Sequence, residues 1–255
     1  MKTMQKRAAV YRVRTWRLGL MMLAGVAAAS AHFTWIAPSA SPLAVGQVAK
    51  LVIGSGHHFP KSETALRLVD VQVHAITPSG KRTELHPTTA GTSLAAEYKV
   101  EEAGMHRFVL VQDRGVLSWT TNGVRAGGKA EHPRARRSAK VYRSAVSYAV
   151  TPGSHFVQAK PLGIAFEMTA DVSGSQVALA VWKDAKPCAG VEIRMAVGDH
   201  GDKAIGKTSP DGRFVYTLGP DSKGALLFGV EYVEPASATA NYDRGEFAAS
   251  VELQL

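Results

Sequence analysis

Beyond residue 31 this sequence has almost no stretch in which apolar residues recur at helical spacing. Short alternating runs cut by Gly, Pro, Asp and Ser take their place. A period of two sends successive side chains to opposite faces of a strand, so such runs specify half-buried β-strands. Val48–Ile53, Asp70–Ile76 and His106–Val111 read as strands of a first unit. Phe166–Asp171, Gln176–Lys183, Gly190–Val197, Arg213–Leu218, Ala225–Tyr232 and Glu246–Leu253 read as strands of a second. Turns are expected at Pro78-Ser79-Gly80-Lys81, Asp184-Ala185-Lys186-Pro187 and Ser209-Pro210-Asp211-Gly212, where Pro presets φ and Gly accepts a positive φ. Ala90–Ala96 and Ala236–Asn241 read as loops. Evenly spaced short strands with such turns predict an all-β fold of two immunoglobulin- or transthyretin-like β-sandwich units.

The first 31 residues follow a different logic. Lys2, Lys6, Arg7, Arg12, Arg14 and Arg17 form a cationic head, Leu18–Ala28 is a short apolar run, and Ala29-Ser30-Ala31 fits a small-x-small cleavage site. The apolar run falls well short of the roughly 20 residues that a membrane-spanning helix needs. Residues 1–31 therefore read as a Sec-type signal peptide, and the expected location is the periplasm, with no transmembrane segment in the mature protein. The expected divisions are 1–31 (leader), 32–112 (first sandwich), 113–160 (basic connection ending in a strand at Tyr142–Val150) and 161–255 (second sandwich).

Charge excludes one class of partner. The formal charge of +9 includes the six cations of the leader, so the mature chain carries only +3, too little to imply nucleic acid. The basic run His132–Arg137, with Lys140 and Arg143, reads as a solvated loop. Cys188 is the only cysteine. It cannot form an internal disulfide and reads as a buried thiol. The chain has no G-x-S-x-G elbow, P-loop or H-E-x-x-H, and a binding protein is expected in preference to an enzyme.

The residue that carries most chemistry is His32. Cleavage after Ala31 makes it the first residue of the mature protein, where its α-amine and imidazole form one chelate. The amine, with a reference pKa of about 7.7–8.0, yields its proton to a metal near neutral pH. A further imidazole completes a three-nitrogen histidine brace, suited to Cu(II) or Ni(II). Gly54-Ser55-Gly56-His57-His58-Phe59-Pro60 supplies two candidates at a strand end. His57 and His58 point to opposite faces of an extended backbone, so one of them is expected to face the metal. The two preceding glycines favour His57, and the choice stays open. His74, His106, His155 or Asp113 are further candidate ligands, whereas His86, His132 and His200 read as solvated. Phe33, Trp35, Trp119 and Trp182 are expected in the core.

These motifs carry a family resemblance. Ala31-His32-Phe33-Thr34-Trp35-Ile36-Ala37-Pro38 followed by the Gly54–Pro60 segment resembles the opening of the NikM-like periplasmic domain family. The stretch Val181–Val191, with Thr208-Ser209-Pro210-Asp211-Gly212-Arg213-Phe214, resembles its carboxypeptidase-regulatory-like second half. Cys188 stands where the family has Leu, and the basic insert around Arg134–Arg143 has no family counterpart. The resemblance implies capture or delivery of nickel or cobalt, held by His32 and the His57/His58 pair and passed to a membrane metal transporter. The competing expectation is a metal-free sandwich that serves as an interaction or cell-envelope accessory module. An oxygen-activating copper brace is the least favoured reading, since only 7% of residues are aromatic and no aromatic-rich binding face is evident.

Overall fold

In the computed structural model, the chain is described over residues 33–157, 160–196, 201–220 and 222–255. The leader expected at 1–31, and His32 and His200, lie outside them. Regular structure among the described residues is β apart from one 3-10 turn, Leu68–Asp70. A first sheet joins β1 (Phe33–Pro38), β2 (Val48–Gly56), β5 (Thr88–Ala90) and β6 (Ser93–Lys99) in the order β1-β2-β6-β5. A second, large sheet holds β3 (Gln72–Ile76), β4 (Arg82–Leu85), β7 (Met105–Thr120), β8 (Gly123–Ala126), β9 (Arg137–Val150), β13 (Glu192–Ala196), β14 (Asp202–Lys207), β16 (Ala225–Pro235) and β17 (Arg244–Gln254). Its order is β14-β13-β16-β17-β9-β7-β3-β4, with β8 paired to β7. A third sheet contains β10 (Phe166–Ser173), β11 (Gln176–Lys183), β12 (Lys186–Pro187) and β15 (Arg213–Thr217). The all-β sandwich expected from the sequence is the observed architecture.

The large sheet serves two cores, one on each face, and β9 shows why. Its Ala145 and Ala149 join the core beneath the first sheet, with Ile36, Leu51, Ile53, Phe108 and Leu110. Its Tyr142, Val146 and Tyr148 join the core beneath the third sheet, with Phe166, Met168, Leu179, Phe228 and Val251. Small residues face the first core and large ones the second. The strand is therefore buried without a break from Ser144 to Ala149. It pairs antiparallel with β7 and parallel with β17.

Three local expectations differ from the fold. Ala90–Ala96, expected as a loop, contains most of the β5–β6 hairpin. Its alanines carry little β-propensity, but Leu94, Ala96 and Tyr98 alternate inward and their burial decides the conformation. The connection expected to be irregular from Asp113 contains the end of β7, β8 and a longer β9. Trp119 stabilises that hairpin by lying 3.9 Å beneath the Arg137 guanidinium. The chain also bends at a bulge between Asp113 and Val116, which hides the alternation. Finally, β14 stands where no strand was expected, because Asp202–Lys207 has no strong apolar signal.

Candidate functional site

The expected site begins at the open end of the β1–β2 pair. Phe33 pairs with Gly56 and Thr34 with Ser55, so the residue after His32 lies opposite the residue before His57. Both aromatic residues of β1 are buried. Trp35 meets Phe59 edge-on at 5.4 Å, and together with Phe33, Ala196 and Leu227 they form a small apolar cluster. The glycines of the Gly54–Gly56 motif have a packing role. A Cβ at Gly54 would stand 2.5 Å from the Trp35 indole, and one at Gly56 would stand 2.6 Å from Glu63 Oε2. They make room for Trp35 and Glu63.

Glu63 is the residue that sequence reasoning missed. One carboxylate oxygen accepts the His57 backbone N–H at 2.7 Å, and the other contacts His58 Nδ1. These bonds, the His57 N–H first and the His58 ring second, hold its carboxyl below the usual range. The only sequence signal was an acidic residue six positions after His57. With Nδ1 of His58 committed to Glu63, Nε2 is the nitrogen left to carry the lone pair, the arrangement in which a carboxylate orients a metal-binding imidazole.

His57 faces the other way. Its Nδ1 lies 4.0 Å from Asp202 Oδ1 at the start of β14; His57 is 27% exposed and Asp202 10%. Asp202 also binds Arg194 Nε, and Arg194 donates a second bond to the Asp202 carbonyl at 3.2 Å. The Asp202 bond raises the Arg194 guanidinium above its ordinary range. The structure thus places His57 and His58 on one loop with separate carboxylate partners. Among the described residues, no group of three or more His, Cys, Asp or Glu is arranged to hold a metal ion.

The other candidate ligands are engaged elsewhere. His106 is fully buried between the Tyr98 hydroxyl (3.0 Å) and the Glu102 carbonyl (2.9 Å). Tyr98 pairs with Ala49, at the opposite end of β2 from Gly56. His74 is buried beside Arg82, and burial followed by the Arg82 charge pushes its pKa down. Asp113 accepts the Gly115 N–H at 3.0 Å. His155 lines a separate cleft of about 470 Å³ with Arg107 and Lys160. His86 is exposed, whereas His132, expected to be solvated, binds the Ala126 carbonyl at 2.8 Å. Cys188 is buried, and burial raises its thiol pKa.

Residues 29–234 match the model of a domain of unknown function, DUF4198. The chain belongs to the DUF4198 family. No curated protein matches this DUF4198 chain. Among solved structures it is similar to a DUF4785 family protein from Legionella pneumophila, with 11% identity, TM-score 0.29, and coverage of 77% of this chain and 51% of that one. It thus spans about half the length of the Legionella protein. A two-domain fibronectin type III segment of chicken tenascin gives 13% identity, TM-score 0.22 and coverage of 86% and 97%. Trypsin-activated alpha-2-macroglobulin from Escherichia coli gives 9%, 0.28, and 86% and 15%. Likeness at this level transfers no role to the DUF4198 chain. Among the described residues no helix is long and apolar enough to cross a membrane.

Proposed function

We propose that this DUF4198 chain is an exported, non-enzymatic metal-capture protein whose mature chain begins at His32 and acts in the periplasm. The observation that carries this reading is the β1–β2 register, in which Phe33 lies opposite Gly56. Covalent geometry keeps the α-carbon of residue 32 about 3.8 Å from that of Phe33, and the two loop histidines follow Gly56 directly. A terminal amine, the His32 imidazole and one loop imidazole are a nitrogen donor set suited to Ni(II), Co(II) or Cu(II).

The His58–Glu63 contact favours His58 as the third nitrogen, since Nε2 is left as the coordinating atom. His57 and Asp202 form the alternative pair of donors. The metal is cargo, passed on to a membrane transporter; the family description itself names neither nickel nor cobalt. A second reading, a metal-free accessory module, is favoured by the lack of any three-residue donor group among the described residues.

Intact-mass measurement of the protein purified from the periplasm, native and then denatured, separates the two. The metal reading expects a mature chain starting at His32 that retains one metal ion natively. It also expects loss of stoichiometric binding in His32→Ala, and in one of His57→Ala and His58→Ala but not in both equally. A different N-terminus, or a correct one that stays metal-free in Ni(II), Co(II) and Cu(II), establishes the accessory module instead.

A further inference from the structure

The space between the first sheet and the large sheet contains a feature unrelated to the histidines. Buried polar side chains are almost always paired, and those that are not require a reason. Here several unpaired ones share a single interlayer. Thr34 and Ser55 are a cross-strand pair in the first sheet, in the same inward rows as Ile36 and Ile53. Ser147 and Glu252 are a cross-strand pair in the large sheet, in the same row as the inward-facing Phe108. The Thr34, Ser55 and Ser147 hydroxyls and both carboxylate oxygens of Glu252 are buried with no hydrogen-bond partner in the protein. Ser250 Oγ, in the same row as Glu252, reaches the Thr34 carbonyl at 2.5 Å and ties the two layers together at this point.

We propose that Glu252, buried without a bonded partner beside Ser147 and beneath β1, is a conformational switch that the fold accommodates as a carboxylic acid, and that its ionisation in alkaline solution loosens β1 from the large sheet. Among the described residues, the groups that the neighbouring strands place beside Glu252 are neutral. They are Ser147 from β9, Leu227 from β16, Thr34 and Ile36 from β1, and Ser250 and Gln254 on its own strand. The Gln254 amide, which donates to the Pro38 carbonyl at 2.5 Å, is the one group that favours the ionised form. Burial therefore dominates and pushes the carboxyl up to about 8.

Glu167 shows the contrast. It is also fully buried, and burial raises its carboxyl as well, but its two oxygens accept the Leu162 and Gly163 N–H groups at 2.7 and 2.9 Å, which oppose that push. Glu252 has no such donors. As a carboxylic acid it can donate its proton to a neighbouring hydroxyl. As a carboxylate it would be a bare charge between two sheets. The strand it faces is β1, whose Thr34 and Pro38 carbonyls are held by Ser250 and Gln254 on either side of it.

The sign follows from linkage. The folded pKa lies above the unfolded one, so the native state binds the extra proton between them. Stability is fully present below the ordinary value of 4.5 and is lost as pH rises towards about 8. The test compares the stability of the full chain and of Glu252→Gln, which mimics the protonated acid, across this range by urea unfolding. The folding constant of the wild type is expected to fall relative to the variant by about tenfold per pH unit within the window, then level off. Amide exchange in β1, corrected for intrinsic rates, is expected to accelerate above pH 8 in the wild type alone. Parallel stability curves would overturn the proposal. If the variant does not fold, a ¹³C carboxyl titration of Glu252 in the wild type decides: a midpoint in the ordinary carboxylate range refutes the proposal and a midpoint near 8 supports it.

Discussion

Glu63 determines how the two loop histidines are presented. It takes the His57 N–H with one oxygen and the His58 ring with the other, over a glycine that leaves it room. Replacing it with Ala removes the group that fixes the His58 tautomer. If His58 is a ligand, metal affinity of the loaded protein should fall by roughly 10–100-fold, as for other residues that orient an imidazole. Calorimetric titration measures that loss, and ¹⁵N NMR of the imidazole reports the tautomer. Unchanged affinity in Glu63→Ala would remove His58 from the donor set. The same bonds make the loop acid-labile. The folded carboxyl lies below its ordinary value of 4.5, so the loop's stabilisation is present above that value and lost as pH falls through the lower one. At this scale the sequence was partly legible: the His57-His58 pair was visible as a motif. Its anchors were not, because Glu63 and Asp202 become neighbours only through a tight turn and through strands distant in sequence.

Among the elements, turn chemistry was the most legible and also contains a departure. Thr77–Lys81 closes the β3–β4 hairpin with Gly80 at φ +90°, as Pro-Ser-Gly-Lys implies. The β11–β12 turn instead places Asp184 and Ala185 at φ +50° and +61°. Two consecutive positive φ values match the strand twist of a two-residue hairpin, where Asn or Gly is normally found. Ala185 has no side chain that compensates for this conformation. Ala185→Gly should therefore stabilise the protein by about 0.5–1 kcal/mol, less than the full left-handed cost because glycine also loosens the unfolded chain. Thermal unfolding would show this as an increase in Tm of about 1–4 °C. Gly212 gives the opposite case. Its φ is +76°, and a Cβ would stand 2.9 Å from both the Cys188 nitrogen and the Val181 carbonyl oxygen. Those are backbone atoms already bonded to each other across the sheet, with Cys188 N–H donating to Val181 O at 2.9 Å. Gly212→Ala should cost about 2 kcal/mol or more, since conformational strain and collision add.

The whole molecule depends on a strand whose alternation the sequence conceals. An ordinary sandwich strand alternates apolar and polar because one face meets water, and β2, β11 and β15 gave enough of that pattern to be read. β9 is covered on both faces, so Ser144–Ala149 reads as an unbroken run of small and apolar residues with no register. Which face each residue takes is decided only when the two outer sheets are in place, as with Ala145 and Tyr148. The two sandwich patterns were therefore legible, and the sheet that both cores share was not. Unfolding one core strips one face of β9 and β17, which the other core also needs. The two should therefore melt together. Leu51→Ala in the first core and Leu179→Ala in the second each remove a fully buried side chain and should each cost about 2–5 kcal/mol. The decisive measurement is urea unfolding of both variants, followed by tryptophan fluorescence and far-ultraviolet circular dichroism. Trp35 belongs to the first half and Trp182 to the second. A single coincident transition, shifted to lower urea with unchanged slope in both variants, is expected of one cooperative unit. Two separated transitions, with Leu51→Ala moving one and Leu179→Ala the other, would mean that β9 can keep one core folded while its other face is exposed.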